Sequence, residues 1–238
     1  MWPLPSIKSE LVTISLTPDA ISFSWMKASK KYGNVELQAY RNIPLTSFEY
    51  AHAIVFNPTL LKKYISQFLS EHKLTHAFVA ISIAGPSITE SIVEVSKLSP
   101  EPADFPFPKL KKLLWDYRYL YPDDNRFAFY VCGISRQLLA QYQLLSLSIP
   151  INLIAITTQR IALLQVYRQQ YGAAFRHAQL ARDIQLHNND VHSLFSQDTI
   201  RRHLHIKPSL MINLQEQQSA LLVSFGLFLM GKEMHAAN

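Results

Sequence analysis

The sequence predicts an α/β fold, and three observations carry that prediction. Apolar runs with a period of two open the chain, capped stripes at helical spacing follow them, and strands precede helices in chain order. The opening run is ELVTISLTPDAISFSW, residues 10–25. Val12, Ile14 and Leu16 alternate with Thr13 and Ser15, while Ile21, Phe23 and Trp25 alternate with Ser22 and Ser24. Thr17-Pro18-Asp19 divides the two runs with turn residues, so the stretch reads as a β-hairpin opening a domain.

The later elements follow in order. Val35–Tyr40 alternates again and predicts a third strand. Asn57-Pro58 places an N-cap residue before a proline at the first helical position, and Leu60, Leu61, Tyr64, Ile65 and Phe68 continue as a helical stripe. His76–Ile83 reads as a buried strand, and Ala84-Gly85-Pro86-Ser87 turns into another at Ile88–Val95. The proline-rich Leu98–Pro108 stretch is a linker or surface excursion. Trp115–Leu120 and Phe127–Cys132 are the next strands. Ser135 caps a helix holding Leu138, Leu139, Tyr142 and Leu145. Ile151–Ile156 is a strand, and Thr158 caps a helix through Ile161, Leu164 and Tyr167. Ala173–His187 is open between strand and helix; a short helix is expected near Gln197–Leu204. Gln215–Met234 reads as a closing helix, apolar around most of its circumference and therefore buried.

Composition narrows the class. With 238 residues, 48% hydrophobic and 17% charged, the chain can bury a substantial core and is not of disordered type. Cys132 is the only cysteine, which excludes an intramolecular disulfide or a cysteine-rich zinc site. MWPLPSIKSE lacks a charged n-region and apolar run, and Ser219–Met230 is too short to span a bilayer, so a cytoplasmic soluble protein is expected. The net charge of +6 is scattered over small clusters of lysine and arginine without a glycine- and aromatic-interleaved stripe. That pattern argues against nucleic acid as a partner; attraction to an anionic membrane surface is the more economical functional reading.

Catalytic and metal-binding patterns are weak. His187, Asp190 and His192 lie close in sequence, as do His203 and His205, but neither group has an organised ligand spacing. Cys132 lies in an apolar strand, where a thiol is inert packing. Ser87 lacks the second glycine of a nucleophile elbow, and Asp123-Asp124 beside Pro122 is turn chemistry. No catalytic residue and no metal ligand is assigned.

The order of these pieces carries a resemblance. ELVTISLTPDAISFSW, then HAFVAISIAGPSITESIVEV, then the WDYRYLYPDDNRFAFYVCGISRQLLAQYQLLSLSIPINLIAITTQRIALLQVY stretch resemble the PilM-like family of actin-like pilus assembly proteins. The layout is most similar to the family's short HofM/ComA-type competence relatives. Val223-Ser224-Phe225-Gly226-Leu227-Phe228-Leu229 is similar to the small- and apolar-residue run of the family's closing helix. The resemblance covers roughly residues 10–170 and 216–232. It implies an actin-like (ribonuclease-H-like) first lobe over residues 1–171, with a small α+β subdomain inserted at about 75–150. Residues 172–238 would be a reduced second lobe with its closing helix packed back on the first.

The same resemblance tests the opening turn. ATP-binding actin-like proteins carry a first phosphate loop of the form Asp-hydrophobic-Gly-Ser-Ser-Ser-Ile-Lys. Here Ser15 stands where the acidic residue would be and Thr17 where the glycine would admit phosphate to backbone N–H groups. Pro18 removes a donor, and Asp19 adds negative charge. After Tyr171 there is a Gly172 but no second loop motif, so no nucleotide cofactor is expected. The resemblance implies a non-catalytic scaffold of a type IV pilus or DNA-uptake machine, binding the cytoplasmic tail of a PilN-like inner-membrane protein. Membrane association would then be indirect. Trp115, Tyr117, Arg118 and Tyr119 are the partner-binding candidates, because aromatic and arginine side chains dominate peptide hot spots. Two alternatives stand beside it: a GspL-like component of a type II secretion system, and an actin-like ATPase that retains nucleotide.

Overall fold

A computed structural model describes residues 10–29, 35–105, 113–123, 125–171 and 197–236. The opening hairpin forms as its alternation requires. Strands β1 (Glu10–Leu16) and β2 (Ala20–Ala28) pair antiparallel, with Val12 opposite Trp25, Ile14 opposite Phe23 and Leu16 opposite Ile21. Strand β3 (Val35–Pro44) continues the meander four residues beyond its expected end at Tyr40. After helix α1 (Pro58–Glu71), strand β6 (Phe78–Ile83) pairs parallel with β1. After helix α2 (Arg136–Leu147), strand β10 (Asn152–Thr158) pairs parallel with β6. Strand β11 (Leu204–Ile206) adds parallel to β3, giving the order β10-β6-β1-β2-β3-β11.

Local chemistry sets the helix starts. Asn57 Oδ1 accepts from Leu60 N at 3.0 Å, Ser135 Oγ accepts from Leu138 N at 3.1 Å, and Thr158 Oγ1 accepts from Ile161 N at 3.4 Å. Each satisfies a backbone donor that the first helical turn leaves free. Helices α1 and α2 cover one face of the sheet, where Leu61, Ile65, Phe68, Leu138, Tyr142 and Leu145 meet Val12, Ile14, Leu16 and Phe23.

Helices α3 (Gln159–Tyr171) and α5 (Leu214–Ala236) cover the other face, with α4 (Gln197–His203) beside α5. Here the polar members of the hairpin are buried as well. Thr13, Ser15 and Ser24 are 0% exposed. Ser24 Oγ donates to Ser224 Oγ of α5 at 3.0 Å, so a pair of small hydroxyls allows helix and sheet to meet. Leu221, Leu222, Phe225 and Phe228 are buried against α3 and the strands, and Leu229 is half-buried. The closing helix therefore hides the apolar surface that would otherwise be exposed.

A separate sheet is inserted between β6 and α2. Strands β7 (Thr89–Val95), β8 (Leu113–Asp123) and β9 (Arg126–Ser135) pair antiparallel in the order β7-β9-β8. One face closes over Val93, Val95, Phe105, Phe129 and Val131, and the other turns Ala128, Tyr130 and Cys132 toward α3. A two-stranded hairpin that the sequence reading missed, β4 (Tyr50–Ala51) and β5 (Ile54–Val55), turns through His52 and Ala53, both at positive φ. Its signal is absent because His-Ala replaces the usual Asn-Gly of such turns. Gly85, at φ +153°, packs against that turn; a β-carbon there would lie 2.4 Å from Ala53 N.

Candidate functional site

The opening turn closes on itself. Thr17 N donates to Ala20 O at 2.9 Å, and Ala20 N returns a bond to Thr17 Oγ1 at 3.0 Å. The donors that a phosphate would need are thus partly spent inside the turn, and Pro18 has none to offer. Asp19 is exposed beside them. Ser15 is buried below, where its hydroxyl accepts from Ser82 Oγ at 3.0 Å and from Gln159 Nε2 at 3.2 Å. This knot of neutral groups joins the ends of β1 and β6 to the start of α3.

A more open feature lies between the two sheets. A cavity of about 150 Å³ separates β8 from β10. Leu114 and Asp116 of β8, Cys132 and Ile134 of β9, and Ile156 and Thr157 of β10 line it, with Ile161 of α3 beyond. Both β8 and β10 are end strands of their sheets, and no described strand pairs with their outer edges. Main-chain groups of an extended segment could add to such an edge while alternate side chains enter the cavity.

Asp116 and Cys132, which line this cavity, belong to a polar row across the inserted sheet. Glu90 of β7 lies opposite Cys132 of β9, which lies opposite Asp116 of β8. Burial, followed by the charges of Asp116 and Glu90, pushes the Cys132 thiol up to about 12. A thiol so placed is protonated at neutral pH and is no nucleophile. Asp116 forms an ion pair with Arg118 at 2.9 Å, and its Oδ1 accepts from Tyr117 N at 2.9 Å. A strand adding to β8 would compete with Asp116 for that N–H. Glu90 faces Arg160 of α3 at 3.6 Å, a charge pair linking the inserted sheet to the central layers.

The four candidates of β8 divide between environments. Trp115 lines the cavity and also stacks on Tyr117, with ring centroids 5.3 Å apart. Tyr117 and Tyr119 sit edge-on against Phe129, and Tyr117 also meets Phe105. Arg118 pairs with its own strand neighbour Asp116. Thus Trp115 borders the cavity directly, while the two tyrosines belong to the aromatic cluster of the inserted sheet. Leu114, Asp116, Ile156 and Thr157 escaped the sequence reading because the site depends on how two sheets meet, which no local spacing encodes.

The described histidines form no metal centre. His203 stacks on Phe225 with centroids 5.7 Å apart, and burial followed by the charge of Arg202 lowers its pKa. His187, Asp190 and His192 lie outside the described residues, as do Gly172 and Ala173–His187. Among the described residues, no group of three or more histidine, cysteine, aspartate or glutamate side chains could hold a metal ion. Among those same residues, no helix is long and apolar enough to cross a membrane.

Three antiparallel strands followed by parallel strands, with helices on both faces and a small sheet inserted before α2, define an actin-like fold. The structure is similar to that of the PilM–PilN type IV pilus biogenesis complex, with a TM-score of 0.55 and 14% identity. The match covers 70% of this chain and 52% of that chain, so the present chain spans about half of the structure it resembles. The cytoplasmic domain of EpsL, an inner membrane component of the type II secretion system of Vibrio cholerae, gives a TM-score of 0.43 and 13% identity, covering 65% of this chain and 57% of that one. A Bacteroides thetaiotaomicron protein with actin-like ATPase fold and unknown function gives 0.41 and 14%, covering 93% and 98%. No protein-family model and no curated protein sequence matches the chain.

Proposed function

We propose that this chain is a non-catalytic scaffold of a type IV pilus or DNA-uptake machine that holds the cytoplasmic tail of a PilN-like inner-membrane protein. The observation that carries the reading is the cavity between β8 and β10, end strands whose outer edges no described strand pairs, within a PilM-like fold. An extended tail there gains main-chain hydrogen bonds from an edge and places apolar side chains against Leu114, Ile134 and Ile156. Asp116 at the rim, held by its own strand neighbour Arg118, could exchange that partner for a cationic group on the tail.

The absence of catalysis is supported by the opening turn, where Thr17 closes the backbone and Pro18 and Asp19 replace phosphate-binding groups. In this reading the chain works in the cytoplasm and reaches the inner membrane through its partner. Co-expression tests that directly. The chain should sediment with membranes when a PilN-like protein is present and remain in the supernatant when that protein lacks its tail. Equal sedimentation in both cases would refute the proposed anchor.

A further inference from the structure

A second groove shares no lining residue with the β8–β10 cavity. It runs between the start of α1 and the end of α2, with a volume of about 390 Å³. Val55 and Leu145 contribute apolar surface, Pro58 and Lys62 line it from α1, and Gln141 and Leu144 from α2. Leu144 is 67% exposed and Leu147, one turn further along α2, is 82% exposed. Residues three apart share a helix face, so the two leucines form one apolar ridge. Phe56, just ahead of α1, is 55% exposed. Single exposed apolar side chains need no explanation, but a leucine ridge along an apolar groove marks an interaction surface.

Charge narrows the occupant. Among the described residues Lys62 is the only charged side chain lining the groove, and Lys63 is exposed beside it. The only carboxylate in α1 and α2 is Glu71, at the far end of α1, and it pairs with Arg41. Glu49, near the start of α1, turns its carboxylate to Thr46 N and Oγ1. A second copy of this chain would bring lysines to lysines on a molecule of net charge +6. A flat anionic bilayer fits the charge but not the concave shape. An amphipathic helix fits both, since it can seat side chains one turn apart between two helices.

We propose that the α1–α2 groove docks an acidic amphipathic helix of a protein partner. Its apolar side chains rest on Leu144, Leu147 and Val55, and a carboxylate meets Lys62. The probe is a displayed library of 16-residue helical peptides, selected against the full chain and titrated individually. Selected peptides should be net acidic with apolar residues at helical spacing. Leu144→Asp and Leu147→Asp should each weaken them at least tenfold while leaving the thermal midpoint unchanged, because both positions face solvent. Lys62→Glu should weaken them as well, and glutamate-to-lysine exchange in the peptide should restore binding to that variant. Failure to enrich any peptide, enrichment without acidic bias, or indifference to Leu144→Asp would overturn the proposal. So would a dimer, or binding to vesicles containing phosphatidylglycerol, that Leu144→Asp abolishes: the first would assign the groove to a second copy and the other to a membrane.

Discussion

Gly226 of α5 lies so close to Ala162 of α3 that a β-carbon at position 226 would stand 1.9 Å from the Ala162 carbonyl oxygen. Glycine within a helix costs about 1 kcal/mol relative to alanine, so its presence here is explained by contact rather than propensity. The obstacle is backbone and cannot rotate away. Gly226→Ala should therefore destabilise the fold by about 3 kcal/mol, the upper end for overpacking, read as a lowered urea midpoint. Gly231 is the control: its β-carbon would meet only the ends of Leu11 and Ile154, at 3.1 and 3.4 Å. Gly231→Ala should change stability by less than about 1 kcal/mol, where helix propensity offsets mild crowding. Equal midpoints for the two variants would contradict the packing described.

Stability should fall in alkali. Burial pushes the Tyr50 hydroxyl and the Cys132 thiol each up to about 12, and raises Tyr130 and Tyr142 as well. These groups stay protonated in the fold after their unfolded counterparts ionise. Their contribution is complete below the unfolded values, 9.0 for the thiol and 10.0 for the tyrosines, and is lost as pH rises toward the folded ones. Each group removes up to about 1.4 kcal/mol per pH unit within its window. Urea midpoints at pH 8, 9.5 and 10.5 should decline with increasing slope; a flat profile would mean that the burial of these groups is overstated.

The candidate strand β8 separates into stability and surface positions. Tyr117→Ala removes a ring packed on Trp115, Phe105 and Phe129, and should cost about 2 kcal/mol. Arg118→Ala removes a half-exposed pair with Asp116 and should cost less than about 1 kcal/mol. Thermal melts of the two variants decide this, and reversed magnitudes would place Tyr117 at the surface.

Calorimetry with Mg-ATP should show no saturable binding. Thr17 already joins N–H and hydroxyl groups of the turn to Ala20, Pro18 offers no donor, and Asp19 repels phosphate. Micromolar binding would instead return the chain to the nucleotide-dependent actin-like proteins.

Much of the fold was legible because it is written in short-range patterns. The alternation of Val12, Ile14 and Leu16, the Asn57-Pro58 start and the Ser135 cap each fixed an element by local physics. The apolar circumference of the closing helix likewise foretold its burial. Besides the β4–β5 hairpin, two further features were not legible. Strand β11 is three residues long and gains its place only by pairing with β3. The β8–β10 cavity joins Asp116 to Thr157 across 40 positions of sequence, through the docking of one sheet on another. Aromatic content drew the reading toward Tyr117 and Tyr119, but residue type alone does not tell which face of a strand meets a groove and which meets its own sheet.

If the edges of β8 and β10 receive an extended tail, titration of a PilN-like cytoplasmic tail peptide will show it. Wild-type protein should bind it saturably. Asp116→Ala and Ile156→Asp should weaken it by about 1–3 kcal/mol, as at hot-spot positions, when affinity is expressed per folded molecule. Leu147→Asp, remote from this cavity, should leave it unchanged. Binding that survives both cavity variants would move the site elsewhere, and no binding by the wild type would contradict the scaffold reading itself.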